Sequence, residues 1–269
     1  MMRIALCLLA ALAAAGCQTV RTTQPGVVGV DRPQSMLVSA ESVHRSAERA
    51  YRRVLDEASA KGQLNRDPAQ LARIRAIAAR LVPQTAAFRA DAPGWKWEVN
   101  LIASKEVNAW CMPGGKIAFY TGLLERLQPS DEEIAAVMGH EIAHALREHG
   151  RERASQAVAQ GFGIAVLGAA AGMSEGAMDL TQIVLDLTLN LPNSRTDETE
   201  ADRIGVELAA RAAFDPRAAV TLWEKMTRLG GGRGPQFLSS HPSHQTRISD
   251  LRGYAERVLP LYEAARAGR

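Results

Sequence analysis

The stretch IAAVMGHEIAHAL, residues 134–146, decides the fold, because it predicts a helix that is apolar on nearly every side. Every residue in it is apolar or small except His140, Glu141 and His144. Residues four apart share one helical face, so both histidines can bind a single metal ion. Glu141 lies about 100° round the helix from His140, close enough to act as a base without binding the metal.

The HExxH pattern has limited specificity by itself, since it arises by chance in roughly one chain in a hundred of this length. Its apolar setting is the stronger argument. Each polar group buried without a partner costs about 1–3 kcal/mol, and a charge costs more. A metal ion and its water would satisfy all three groups. The sequence therefore predicts a metallopeptidase with one Zn²⁺ per chain, bound by His140 and His144, and with Glu141 as general base.

A second helix is predicted over residues 195–212 (RTDETEADRIGVELAARA) and supplies the third ligand. Glu198 and Asp202 lie on its apolar face, whereas Glu200 lies on the opposite face. Glu198 is therefore the predicted third zinc ligand. Asp202, one turn later, is placed to accept the free N–H of a ligating histidine. Asp197 and Glu200 are expected at an exposed, acidic helix start.

The helix that carries HEIAH has recognisable ends. Ser130 and Glu133 form a capping box before it, and Gly150 predicts its end. His149 is expected near that end, where the helix dipole favours a positive charge. The following apolar run over residues 157–190 permits a lid over the cleft, a buried helix or a membrane contact. A buried or surface-lying helix is preferred to a membrane span for 157–173, because that run is short and rich in glycine.

Upstream segments predict a small sheet and further helices. Residues 35–62 and 67–90 have amphipathic helical spacing, and residues 95–102 alternate as a strand does. A pair of strands is expected over Asn108–Met112 and Lys116–Tyr120, joined by the turn Pro113-Gly114-Gly115.

The N-terminus predicts export. Residues 1–16 (MMRIALCLLAALAAAG) carry one positive charge and then an apolar run, as a signal peptide does. The small residues before Cys17 resemble the lipobox of bacterial lipoproteins, which predicts lipidation of Cys17. Ala14 stands where a lipobox usually has leucine, so ordinary cleavage after an A-x-A site remains an alternative. Residues 17–34 lack periodicity and predict a flexible tether, followed by a single peptidase domain over residues 35–269.

Composition narrows the classes of partner. Lys and Arg (32) nearly balance Asp and Glu (29), so the net charge does not indicate the basic surface that nucleic-acid binding requires. Of the three cysteines, Cys7 leaves with the signal peptide and Cys17 would carry lipid, so Cys111 has no internal disulfide partner.

Four segments resemble the exported and membrane-bound zinc metallopeptidases that include BepA, LoiP, HtpX, the mitochondrial Oma protease and the CAAX prenyl endopeptidases. Three of them are HEIAH at 140–144, SRTDETEAD at 194–202 and HPSHQTRISDL at 241–251. The fourth, weaker one is VNAWCMPGGKIAFYTGLL at 107–124. The resemblance implies an α+β fold: a mostly helical zincin-type (gluzincin) domain with a small β-sheet beside the active-site helix.

Residue by residue, the resemblance implies the same zinc ligands, base and outer-sphere carboxylate as above. It adds His241 near the metal and Arg247 close by, each able to assist at the oxyanion; a loop residue and a helix-cap residue remain the alternatives. It also implies that an edge strand at Asn108, Ala109 and Trp110 aligns an extended substrate.

The likeness is closer to stand-alone lipoprotein peptidases such as LoiP, because no tetratricopeptide extension or multi-span membrane region is visible. It implies a zinc endopeptidase of the bacterial cell envelope, lipid-anchored at the outer membrane and facing the periplasm, that cleaves unfolded or misassembled proteins. The alternative is an auto-inhibited or inactive zinc lipoprotein that binds such proteins as a chaperone does, with His241 closing the metal site.

Overall fold

The computed structural model describes residues 18–170, 179–229, 236–242 and 246–268. The expected signal peptide and the lipidation of Cys17 lie outside the described residues. The α+β, mostly helical fold class is confirmed. Within the described residues the strands are β1 Gln18–Val20, β2 Gln34–Met36, β3 Glu98–Ile102, β4 Ala109–Met112 and β5 Lys116–Tyr120. The helices are α1 Ala40–Ala60, α2 Pro68–Leu81, α3 Thr121–Leu127, α4 Asp131–Leu146, α5 His149–Ala170, α6 Leu180–Leu189, α7 Arg195–Arg211, α8 Ala218–Leu229, α9 Gln236–Ser240 and α10 Arg247–Ala267.

A three-stranded sheet lies beside the HEIAH helix, in the order β3-β5-β4. β3 runs parallel to β5, and β4 pairs with β5 as the predicted antiparallel hairpin. The turn needs glycine, because Gly114 and Gly115 have φ of 83° and 82°. A Cβ on Gly115 would also lie 2.6 Å from the Trp97 ring. This order leaves β4 at the edge of the sheet, on the side of the cleft.

Helices α4 and α7 cross at closest approach through two glycines. A Cβ on Gly139 would lie 2.8 Å from the backbone oxygen of Gly205, and one on Gly205 would lie 2.8 Å from the backbone nitrogen of His140. Both helices begin with a capping box, from Ser130 and Ser194 respectively, which fixes where each starts. The glycine crossing brings the predicted third ligand within reach of the HEIAH motif.

The expected helix end at Gly150 is wrong. α4 ends at Leu146, Glu148 adopts a left-handed φ of 51°, and α5 begins at His149. The turn redirects the chain before the glycine is reached. His149 is consequently buried at the start of a new helix, with 1% of its surface exposed, and does not lie at the end of the previous one.

Residues 18–36, which we call the N-terminal strap, pack on the folded domain and do not form the expected tether. β1 and β2 pair within the strap, and Val28 and Val30 between them are buried. The backbone N–H of Val28 donates to Glu207 Oε2 at 3.0 Å. Gly26, with φ of 61°, passes so close to Glu207 that a Cβ would meet its carboxylate at 2.6 Å. These long-range contacts hold the strap on the domain, although its sequence has no helical or strand periodicity of its own.

The apolar region after the HEIAH helix is divided between α5 and α6. In the described part of the chain, no helix combines the length and the apolar character needed to cross a membrane. α6 packs against α1 and β4, and Val184 lies in the same apolar cluster as Trp110 and Met112. Residues 171–173 of the apolar run lie outside the described residues.

Candidate metal centre

Four buried side chains converge between α4, α7 and the segment after α9. One ligand atom from each of His140, His144, Glu198 and His241 lies within 4.8 Å of the others. The Nε2 atoms of His140 and His144 are 3.1 Å apart. Glu198 Oε1 lies 3.3 Å from His144 Nε2, and Glu198 Oε2 lies 3.5 Å from His140 Nε2. The structure therefore brings together the three ligands expected from the sequence.

His241 is the fourth member of this cluster. Its Nδ1 lies 2.9 Å from Glu198 Oε1 and 3.2 Å from His140 Nε2. Its ring stacks on Phe237, with the centroids 4.3 Å apart. The resemblance placed His241 near the metal, and the structure places its ring nitrogen among the ligand atoms.

The residues present fit a metal ion. Imidazole nitrogens that face one another and a carboxylate oxygen all point electron pairs at one small volume, which a cation neutralises. Glu141 adds an independent sign, because its Oε1 is buried and its recorded contact in the described part of the chain, 3.4 Å to His241 Nε2, is longer than an ordinary N–H···O hydrogen bond. Such a group needs a partner that comes from outside the protein. Imidazole and carboxylate donors in a set of three or four suit zinc.

The outer nitrogen of His140 faces Asp202. Asp202 Oδ1 lies 3.0 Å from His140 Nδ1, as the helical spacing predicts. Arg247 contacts two carboxylates of α7: Nη2 lies 2.8 Å from Asp202 Oδ1, and Nη1 lies 2.8 Å from Glu198 Oε2. The guanidinium also lies 3.4 Å from the centroid of the Trp223 ring. Arg247 thus holds the ligand helix in register from a fully buried position.

The outer nitrogen of His144 faces a residue that the sequence argument missed. His144 Nδ1 lies 2.9 Å from His149 Nδ1, and His149 Nε2 lies 3.0 Å from Glu200 Oε2. Glu200 also accepts from Arg147 Nε at 2.9 Å and from Arg32 Nε at 2.7 Å. The expectation of an exposed Glu200 is therefore wrong, and so is the helix-end interpretation of His149.

The expected exposed helix start is wrong for Asp197 as well, which is 5% exposed. The reason is that α7 is covered on both faces. α4 and α10 cover the face with the ligand, and the N-terminal strap covers the other. The available sequence signal was the polar cluster Arg147-Glu148-His149 directly after an apolar helix.

The pKa values of Glu198 and Glu141 are shifted in opposite directions. Burial would raise the pKa of Glu198, but the nearby His241 and His140 outweigh it and hold that pKa well below its usual value. Burial raises the pKa of Glu141, and the opposing effect of His241 is smaller. Metal-dependent hydrolysis needs two such groups: a carboxylate that stays ionised as a ligand, and a carboxyl of higher pKa that transfers protons.

A narrow cleft leads to Glu141, His144 and His241. Its far walls come from Trp110 on β4 and from Leu187 near the end of α6, among other residues. β4 is the edge strand, as expected, but Asn108, Ala109 and Trp110 are buried, with exposures of 4%, 0% and 1%. α6 packs against this strand. In this conformation the expected substrate strand is covered, and Cys111 beside it is a buried free thiol.

The sequence of this chain is similar to those of known proteins. The model of peptidase family M48 matches residues 68–255. The chain is 40% identical to the mitochondrial metalloendopeptidase OMA1 of Arabidopsis thaliana, over 65% of this chain and 36% of that protein. It is 34% identical to the OMA1 of Saccharomyces cerevisiae, over 63% of this chain and 50% of the relative. It is 29% identical to the beta-barrel assembly-enhancing protease of Escherichia coli, over 60% of this chain and 35% of that protein.

The chain spans about a third to a half of the length of these relatives. The matched region includes the ligand helices α4 and α7, the sheet and Arg247. With the ligand cluster and this match together, the chain belongs to peptidase family M48.

Proposed function

We propose that this protein is a zinc-dependent endopeptidase, with His140, His144 and Glu198 as ligands and Glu141 as general base. The observation that carries the proposal is the position of Glu141. It is a buried carboxyl that lines the cleft next in sequence to a proposed ligand, and in the described part of the chain its Oε1 has only a long contact, 3.4 Å to His241 Nε2. A structural metal site has no use for such a group.

The chain's own residues supply the proton transfers. A bound zinc ion would polarise the peptide carbonyl and make a water easier to deprotonate. Glu141 takes the proton from the attacking water and delivers it to the leaving amine. Its place beside the proposed ligands, on the wall of the cleft, suits both steps, because the same carboxyl can accept the proton and then donate it. Arg247 and Asp202 keep Glu198 and His140 in place while this happens.

Unfolded or misassembled proteins of the bacterial cell envelope are the substrates we propose. Pairing with β4 would align any extended chain through its backbone, with little demand on side chains. Such pairing requires α6 to move away from β4 first. The name of the Escherichia coli relative, a beta-barrel assembly-enhancing protease, supports the envelope. The OMA1 relatives are mitochondrial, so the proposed location in the bacterial cell envelope rests on the expected signal peptide and on the lipobox-like sequence at Cys17.

The test compares Glu141→Gln with the wild type for zinc content and for cleavage of casein. The variant keeps the size of the side chain and cannot accept the proton, so it should retain one zinc per chain and lose cleavage. Glu132→Gln, at the start of the same helix, is the matched control and should leave both unchanged. Casein cleavage by Glu141→Gln at the wild-type rate would overturn the proposed function.

A second candidate function is a zinc lipoprotein that binds envelope proteins without cleaving them. It is favoured by one observation: His241 Nδ1 lies among the ligand atoms and could complete the coordination. A four-ligand site leaves no open position for a water. The variant His241→Ala distinguishes this function from that of an auto-inhibited enzyme.

A further inference from the structure

A continuous chain of hydrogen-bonding groups runs from the N-terminal strap to a ligand of the proposed metal site. Arg32 on the strap contacts Glu200 on α7, Glu200 contacts His149 on α5, and His149 contacts His144 on α4. No step of this chain is longer than 3.0 Å. All its members except Arg32 are buried.

The direction of each hydrogen bond follows from chemistry. Two arginines hold Glu200, so its oxygen is an acceptor and His149 Nε2 must carry a proton. In a neutral imidazole the other nitrogen, Nδ1, is then an acceptor. His144 Nδ1 lies 2.9 Å away and must donate to it. His144 Nε2 is thereby left with a free electron pair, directed at Glu198 and His140.

We propose that His149 and Glu200 are positioning residues that fix the tautomer and ring orientation of His144 for metal binding, and that Arg32 of the N-terminal strap holds this relay in place. Asp202 does the same for His140 in a single step. Both ligating histidines would therefore be oriented by a carboxylate of α7, His140 by Asp202 directly and His144 by Glu200 through His149. The inference rests on the proposed metal site.

A purely structural role for this network makes a different prediction. Glu207 is a second buried carboxylate that ties the strap to α7, through Val28. It does not contact a ligating histidine. Loosening the strap at Glu207 should thus cost stability without altering the metal site, whereas breaking the relay should alter the metal site itself.

The first experiment compares His149→Asn with His149→Leu. The two replacements have similar shape, but only the Asn side chain offers an oxygen where His149 Nδ1 stands. Outer-sphere partners of a ligating histidine typically change metal affinity by about 10- to 100-fold. His149→Leu should weaken zinc binding by about that factor, measured by competition with a chelator, and His149→Asn should restore most of it. Equal zinc affinities for the two variants, with both folded, would overturn the proposal.

The second experiment tests the contribution of the strap. Arg32→Ala should speed zinc release to a chelator several-fold, because Glu200 then keeps Arg147 as its one arginine partner beside His149 among the described residues. Arg21→Ala is the matched control, since Arg21 lies on the same strap in an exposed pair with Asp31, and it should release zinc at the wild-type rate. Glu207→Gln should lower the melting temperature and leave zinc release unchanged. Equal release rates for Arg32→Ala and wild type would remove the strap from the relay.

These results stay separate from those on the proposed function. Zinc affinity is measured without a substrate, so an inactive protein can still support or overturn the relay. A wild-type protein that binds no zinc at all would instead defeat the proposed function, because the metal site itself would then be absent.

Discussion

Arg247 Nη1 lies 2.8 Å from Glu198 Oε2, and neither side chain has any exposed surface. The same guanidinium contacts Asp202, so one buried cation neutralises two carboxylates that are one helical turn apart. The resemblance suggested that Arg247 assists at the oxyanion. Its two carboxylate contacts also make it a support for the ligand helix.

Arg247→Met should therefore destabilise the metal-free protein strongly. Removing one partner of a buried ion pair leaves uncompensated charge and typically costs about 3–5 kcal/mol. Urea unfolding in the presence of a chelator measures this free energy. Arg252→Met, in an exposed pair with Glu224, is the control and should cost at most about 1 kcal/mol. Equal losses for the two variants would contradict the support role.

The second prediction concerns Gly205, at the point where α4 and α7 cross. In Gly205→Ala the new methyl would lie 2.8 Å from His140 N, so the helices must separate and Glu198 must move with α7. Overpacking of this kind typically costs about 1–3 kcal/mol, and zinc affinity should fall as well. In Gly253→Ala on α10 the new methyl would meet no described residue within 4 Å. That control should be neutral or slightly stabilising, since alanine favours a helix. A Gly205→Ala protein with the wild-type melting temperature and zinc affinity would show that the close approach of the two helices does not position Glu198.

His241→Ala tests whether the fourth potential ligand limits turnover. Removing this ring opens one position of the proposed site, while His140, His144 and Glu198 remain to hold the ion. We expect zinc content to stay at one per chain and casein cleavage to rise. A rise from no activity would identify an auto-inhibited enzyme. Full zinc content with no cleavage even in this variant would favour the binding function.

The pH dependence of stability reports on Glu200. Burial would raise the pKa of this carboxyl, but hydrogen bonds from His149, Arg32 and Arg147 hold it at about 2, against an ordinary value of 4.5. A depressed pKa gives stability that is fully present above about 4.5 and is lost as the pH falls toward about 2. The metal-free wild type should lose unfolding free energy over this range more steeply than Glu200→Gln.

The control for this measurement is Glu256→Gln, an exposed residue on α10. Its pH profile should run parallel to that of the wild type. Identical slopes for wild type and Glu200→Gln would show that Glu200 does not carry the expected acid sensitivity.

The ligand set was predictable because it depends on short-range geometry. The HEIAH spacing places two histidines on one face, and the four-residue step from Glu198 to Asp202 places both on one side of α7. The hairpin was predictable for the same reason, since its turn needs glycine at the positions where the sequence has it.

The buried face of α7 that carries Glu200 was not predictable from local pattern. What buries it is the N-terminal strap, which lies more than 160 residues away in sequence and has no periodicity of its own. The end of α4 was missed because Glu148 takes a left-handed conformation that glycine or asparagine usually takes. A glycine two residues later was the more obvious stop signal.

The strap begins its first strand at Gln18, the residue after the proposed lipidation site. A lipid on Cys17 would thus be attached directly before the first strand of the folded domain. The catalytic cleft would then reach only those polypeptides that are themselves close to the bilayer surface. In such an arrangement the geometry of attachment would select substrates by their distance from the membrane, before any side chain is recognised.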